Sequence, residues 1–519
     1  MKGEASRTSK SLKNARYAIL FYFLYLFLQF FSRKVFLDKL GAELLGLNTT
    51  IANILSFLNL AELGVAAAVS FSLYKPLLDR NENEINNIMS IQGWLYRKVA
   101  RVVLVVALFL LLAIPFIFRN TSISLGIIYA TFLISLAGVI FSYLVNYTQI
   151  LLVADQREYK VNSITQGARI LKIILQIIAV YYFQNGYILW LTLELIFSVL
   201  TAYFLHRIVF KTYPWLKIQV AEGSSLREKY PHIIAKTKQL IFHQLSQFIL
   251  NQTTPIIIFS ILSLTTVAIY GNYMLIVNGI LLFINAMFSG AQAGIGNLVA
   301  ENNKGKILAF FGEFAVLKYW IVSVICFVMI FQTQGFIALW VGEKYVLPMI
   351  DLYLLVAYLF ILVVRVTDGF IYAYGLFQDV WAQILEMFLN LGLSTFLGFK
   401  FGLTGILAGI LISQFLLMMC WKPYFLFKFG IRESFAIYLK KIFIYVFCIV
   451  LSFCFSRLLY FFLPYFDNVN YFQWVKNALL LSIAYLLVSI FVFASISSDF
   501  RKVIVRVKNI VLSIMQKNT

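Results

Sequence analysis

Residues 161–183 read VNSITQGARILKIILQIIAVYYF. The stretch is as long as a bilayer-spanning helix, which needs about 20 mostly apolar residues. Arg169 and Lys172 stand inside it, three residues apart and therefore on one face of a helix. A cation at bilayer depth is costly, so such residues usually face a bundle interior or a water-filled path and mark a function there. The stretch predicts a helical membrane protein with a polar path through it.

The rest of the chain agrees. Its 519 residues are 61% hydrophobic and 13% charged, against about 25% charged in ordinary globular domains. Apolar runs predict spans at 17–38, 45–73, 99–118, 123–153, 161–183, 187–208, 239–262, 267–299, 315–332, 347–374, 380–399, 404–427, 440–462 and 472–496. The formal net charge of +21 does not point to nucleic acid, because the cations are scattered over short connections. With the N-terminus cytoplasmic, roughly three quarters of the 43 Lys and Arg fall on the cytoplasmic side, and one missed span would destroy that asymmetry. An even count of about fourteen spans follows, with both termini cytoplasmic and the first helix retained. Cys326, Cys420, Cys448 and Cys454 lie in apolar runs and read as buried free thiols.

The longest connection, 209–238, carries turn residues and mixed charge and reads as a cytoplasmic linker. Gly46, Ile51 and Asn53 recur as Gly271, Ile276 and Asn278 at a constant offset of 225 residues across it. The organisation expected is an N-lobe at 1–208, the linker at 209–238, a C-lobe at 239–430, and two further helices with a basic cytoplasmic tail at 431–519. Parallel repeats of this kind suit a transporter with alternating access and a midplane site at the repeat interface. Gly64, Gly290, Gly294 and Gly296 are candidate close-contact or bending sites.

Further charges stand at depth. Glu194 lies in the antiparallel neighbour of the Arg169 helix, within reach of Lys172. Arg365 and Asp368 are spaced to pair within one span, Glu386 follows in the next, Glu62 sits mid-span, and Arg33 is a turn or two short of an outer loop. Arg169 and Lys172 have only Glu194 as an obvious partner, and an unpaired buried cation becomes tolerable when it faces water or awaits an anion. Arg binds phosphate with a planar fork and Lys as a point charge, so the implied cargo is anionic at one end. Glu62, Glu194, Asp368 and Glu386 are structural or ion-coupling carboxylates. His206, His232 and His243 have no metal-ligand spacing, and the chain has neither a phosphate loop nor a nucleophile elbow, so no metal, cofactor or enzyme activity is expected.

The run Arg33-Lys34-Val35-Phe36-Leu37, Leu40-Gly41 and Gly46-Leu47-Asn48 leads to Asn59-Leu60-Ala61-Glu62-Leu63-Gly64 and Ser72-Leu73-Tyr74-Lys75-Pro76-Leu77. It resembles the first two helices of bacterial polysaccharide-transport proteins, the O-antigen and capsule flippases of the Wzx type. These belong to the multidrug/oligosaccharidyl-lipid/polysaccharide (MOP) exporter superfamily. Ile295–Glu301, Leu339–Tyr345 and Gly402–Ile406 extend the resemblance over about 30–430. It implies an all-α polytopic membrane protein with a MATE-like MOP fold: two six-helix lobes plus two C-terminal helices around a cationic cavity. It also implies a flippase of undecaprenyl-pyrophosphate-linked glycan in the bacterial inner membrane. Membrane lipid, a coupling H⁺ or Na⁺ and polysaccharide polymerases complete the expected partners. Arg169, Lys172, Arg33 and Arg365 are the candidate substrate-binding residues. The Asp that many relatives carry near the position of Thr254 or Pro255 is missing here. An ion-coupled drug or cation antiporter of the same superfamily is the alternative. A membrane polysaccharide polymerase or ligase is a more distant one, since it would need a larger outer loop.

Overall fold

The computed structural model describes residues 7–58, 65–231, 252–288, 291–376, 378–462 and 470–517. Among these residues there is no strand, as the apolar runs require: every backbone polar group in a bilayer has to be satisfied within its own segment. The chain divides into two compact units, Met1–Ala268 and Ile269–Thr519. The first contains α1 (Arg7–Leu40), α2 (Ala42–Leu58), α3 (Val65–Asp79), α4 (Glu82–Ile117), α5 (Leu125–Leu144), α6 (Gln149–Ala154), α7 (Glu158–Tyr182), α8 (Gly186–Thr212), α9 (Gly223–Lys229) and α10 (Gln252–Ile261). The boundary falls in α11 (Leu264–Phe288). Then follow α12 (Ala291–Ala300), α13 (Lys304–Val341), α14 (Met349–Val363), α15 (Thr367–Ala373), α16 (Val380–Gln414), α17 (Lys422–Phe425), α18 (Phe435–Phe462), α19 (Tyr471–Ile496) and α20 (Ser498–Lys517).

Among the described residues, ten helical segments are long and apolar enough to cross a bilayer. Their outward sides carry large exposed apolar side chains, such as Leu112 and Phe116 on α4 and Phe443 on α18, so hydrocarbon is their natural solvent. One of the ten, Trp381–Ile431, holds two of the expected spans. It breaks at Gly402 (φ 61°, ψ −137°), a backbone conformation open in practice only to glycine. Beyond the break the chain folds back on itself. A Cβ at Gly405 would lie 2.0 Å from the Leu397 carbonyl oxygen, and one at Gly409 would lie 2.5 Å from the Ser394 nitrogen. The expected span 17–38 lies in α1, and 45–73 takes in α2 and α3. Residues 59–64, with Glu62 and Gly64, lie outside the described residues, as do Gly290 and most of the expected span 239–262.

Several expectations need correction. Gly294 and Gly296 make no close contact among the described residues, where nothing stands within 4 Å of a Cβ built on either. Gly46 is one: its Cβ would meet the Leu264 carbonyl oxygen at 1.9 Å. The four thiols are free, but only Cys448 is buried, and Cys420 and Cys454 are exposed. The connection after α8 packs on the bundle over its described part. Lys217 N–H donates to Asn86 Oδ1 and Gln219 N–H to Ser90 Oγ, both at 2.9 Å, which lays the connection along the first half of α4. That half is the extra length of α4, whose 36 residues make about 54 Å of helix against a hydrocarbon core of about 30 Å. Asn81 starts it, its Oδ1 accepting the Glu84 N–H at 3.1 Å. The last span packs on α13 of the same unit. Phe327 of α13 stacks on Tyr485 of α19 with ring centroids 4.4 Å apart, and Trp320 Nε1–H donates to Ser489 Oγ at 3.0 Å.

Candidate functional site

In the first unit α1 packs along α7, and α7 along α8. A cavity of about 330 Å³ lies among them, lined by Arg33, Arg169, Lys172 and Glu194 together with Tyr25, Gln29, Gln176, Phe36 and Trp190. The short turn after α7 explains why Lys172 and Glu194 share a depth. Lys172 lies ten residues before the end of α7 at Tyr182, and Glu194 eight after the start of α8 at Gly186. With equal rise per residue along antiparallel helices, the two side chains face each other.

The Lys172 ammonium sits 2.6 Å from Glu194 Oε1. Gln176 Nε2–H donates to the other carboxylate oxygen at 3.0 Å and to the Trp190 carbonyl at 3.1 Å. Glu194 is thus held by two donors from α7. Arg33 donates from Nη2 to the Ala268 carbonyl at 2.9 Å while lining the cavity. Arg169 is placed differently. Its guanidinium stands 5.0 Å from the centroid of the Tyr25 ring, whose hydroxyl accepts from Gln29 Nε2 at 2.6 Å. Among the described residues no carboxylate forms an ion pair with Arg169. In the wall behind, Phe36 packs edge-on against Trp190 at 4.8 Å, and the Tyr187 hydroxyl donates to Asn48 Oδ1 at 3.1 Å. Three cations and one carboxylate therefore face a common space, an arrangement that attracts an anion.

The remaining candidates belong to the second unit. Arg365 sits in the short break between α14 and α15, where residues 364–366 leave the helix. Its Nε and Nη2 both reach Asp368 Oδ2, at 2.9 and 2.8 Å. Lys422 takes the other oxygen, Oδ1, at 2.8 Å. Lys422, near the end of the expected span 404–427, is buried. It follows a stretch of wide π-helical turns, Phe415–Trp421, a feature that apolar periodicity does not reveal. Lys318 was missed in the same way. It stands fourteen residues into α13, its ammonium 5.2 and 5.5 Å from the ring centroids of Phe314 and Phe288. Its position well inside a long helix was the signal that could have found it.

Glu386 is 1% exposed, and among the described residues neither carboxylate oxygen has a hydrogen-bond partner. Asn390 Oδ1 and Ser394 Oγ are buried and unpartnered too, and the spacing of 386, 390 and 394 puts all three on one face of α16. Asn390 Nδ2–H reaches across the Gly402 reversal to Ser413 Oγ at 3.2 Å. A larger cavity of about 650 Å³ in the first unit is lined by Arg80, Asp155, Arg157, Tyr213 and Trp215 among others. There Asp155 already holds Arg157 at 2.6 Å and accepts from the Tyr213 hydroxyl at 2.8 Å. Burial and the adjacent Asp155 carboxylate push the Tyr213 phenol well above its ordinary range, so it stays a donor.

No protein-family model and no curated protein sequence matches this chain. Solved structures match it in fold, among them a lipid II flippase and transporters of the MOP superfamily, so the chain has a multi-pass α-helical fold of that kind. The lipid II flippase MurJ in an inward closed conformation is 13% identical, with a TM-score of 0.63 over 92% of this chain and 99% of that one. A multidrug resistance MATE family transporter of the MOP superfamily, inward-facing, is 15% identical, with a TM-score of 0.56 over 81% of this chain and 93% of that one. An outward-facing MATE structure gives 16% identity and a TM-score of 0.52, over 81% of this chain and 96% of that one.

Proposed function

We propose that this protein is a flippase. It moves undecaprenyl-pyrophosphate-linked oligosaccharide repeat units of an O-antigen, capsule or exopolysaccharide across the bacterial cytoplasmic membrane by alternating access, with no covalent step. The observation that carries this reading is the charge of the first-unit cavity: among the described residues, Arg33, Arg169 and Lys172 against Glu194 alone. The resemblance of residues 30–430 to polysaccharide-transport proteins supports it. So does the fold shared with a lipid II flippase.

In this account Arg169 grips the pyrophosphate with its guanidinium fork, and Lys172 adds a point charge when the substrate competes with Glu194. Arg33 contributes from α1, and Arg365 serves the substrate from the lobe at 239–430. The polyprenyl tail stays in lipid. Glu386 carries a coupling H⁺ or Na⁺, with Asp368, Glu194 and Glu62 as further carboxylates of the cycle. Both termini are cytoplasmic, and the exported units pass to polysaccharide polymerases. Deletion of the gene followed by analysis of lipid-linked oligosaccharides tests the reading. Repeat units should accumulate on the inner leaflet, and their absence there overturns it.

An ion-coupled drug or cation antiporter is the second reading. The unpartnered Glu386 and the fold shared with MATE transporters favour it. Under that reading transport would not require Arg169 or Lys172.

A further inference from the structure

The sequence led us to expect a basic tail after the last span, but the chain there forms α20, a twenty-residue helix joined to α19 through Ser497 alone. Ser497 is extended (φ −91°, ψ 115°), so the helix axis changes direction where the span ends. The first turn of α20 is pinned to the bundle. Buried Asp499 pairs with Lys441 and accepts from the Tyr445 hydroxyl at 2.5 Å. Phe500, 3% exposed, packs 5.4 Å from both Trp320 and Phe493.

These contacts fix the roll of the helix. Phe500 meets α13 at Trp320, whereas Arg506 Nη2 pairs with Glu313 Oε2 at 2.9 Å. Glu313 is seven residues, about 10 Å of helix, nearer the polar start of α13. The apolar side of α20 therefore points toward bilayer depth and the charged side away from it. The sequence continues the same division. Phe500, Val503, Ile504, Val507, Ile510, Val511 and Ile514 recur at helical spacing, and Arg501, Lys502, Arg506 and Lys508 flank that stripe. Ile504 and Val507 are exposed. A cleft of about 750 Å³ on the charged side is lined by Arg501, Lys502, Arg506 and Asn509.

We infer that α20 lies in the plane of the membrane surface where α19 ends, and that it recognises anionic lipid headgroups. Its apolar stripe sinks to the acyl boundary and its cations meet the headgroup phosphates, the division that interfacial helices require. Five cations against one carboxylate within Ser498–Lys517 supply the charge complementarity. The one-residue joint to a membrane span keeps the helix where that span ends.

The test uses the full-length protein, spin-labelled at Val507→Cys or at Asn509→Cys on a background with the native cysteines replaced. It is reconstituted in vesicles of phosphatidylcholine alone or with added phosphatidylglycerol. The label at 507 should be accessible to oxygen and shielded from a water-soluble nickel chelate, and the label at 509 should show the reverse. Phosphatidylglycerol should reduce label mobility at both sites. Replacing Arg501, Lys502 and Lys508 by Gln should abolish that reduction, since each cation is worth about a fivefold change in attraction to an anionic surface. Equal exposure of both labels to the chelate would overturn the in-plane placement. A phosphatidylglycerol effect that survives the triple substitution would overturn the headgroup recognition.

Discussion

Lys172 on α7 and Glu194 on α8 meet at 2.6 Å inside the first unit, while Arg169, one turn earlier on α7, has an aromatic ring beside it and no acidic partner among the described residues. The pair is partly solvated, and interhelical polar contacts in membrane proteins average only about 0.6 kcal/mol. Lys172→Ala and Arg169→Ala should therefore change thermal stability little. They should cut export strongly: each charge-assisted hydrogen bond to phosphate is worth about 1.5–3 kcal/mol, or about 10- to 100-fold in binding. Melting temperature and export measured on the same preparations separate the two effects.

Glu194→Gln removes the one carboxylate that lines that cavity among the described residues and leaves three cations facing it. Affinity for a pyrophosphate lipid should rise in this variant, because the substrate no longer competes with an internal anion for Lys172. Titration of undecaprenyl pyrophosphate against both proteins measures the change.

Asp368 neutralises Arg365 and Lys422 together. Asp368→Asn should destabilise the protein by about 3 kcal/mol, since it strands two largely buried cations. Arg365→Gln should cost less, because Lys422 keeps its partner. Thermal unfolding in detergent gives the order.

Gly405→Ala and Gly409→Ala should each destabilise by about 1–3 kcal/mol through overpacking at the Gly402 reversal. Gly294→Ala and Gly296→Ala should be neutral or slightly stabilising, since open space surrounds both and Ala is the better helix former. The same unfolding assay compares all four.

Glu386→Gln keeps the side-chain shape and removes the charge. If Glu386 carries the coupling ion, the variant should fold normally and lose the dependence of transport on an imposed H⁺ or Na⁺ gradient. Flux in proteoliposomes with and without the gradient measures it.

Apolar runs made the spans legible, because bilayer thickness and backbone hydrogen bonding leave helices little freedom. Their ends were less legible. The polar first halves of α4 and α13 gain stability from packing and caps at Asn81 and Asn303, which hydropathy does not register. Arg33, Arg169, Lys172 and Glu194 could be read as site candidates because each breaks an apolar pattern. Lys422 could not, because it lies near a span end, where Lys is ordinary, and only tertiary packing buries it; Lys318 could have been, from its place well inside α13. The helix at 498–517 showed its charge in the sequence, but its roll depends on Phe500, Arg506 and their partners on α13.

Transport of an undecaprenyl-pyrophosphate-linked oligosaccharide into proteoliposomes, wild type against the Arg169→Gln, Lys172→Gln double variant, tests the central claim most directly. The account expects flux with the wild type and near-complete loss in a double variant that remains folded. Equal flux in the two proteins would contradict it.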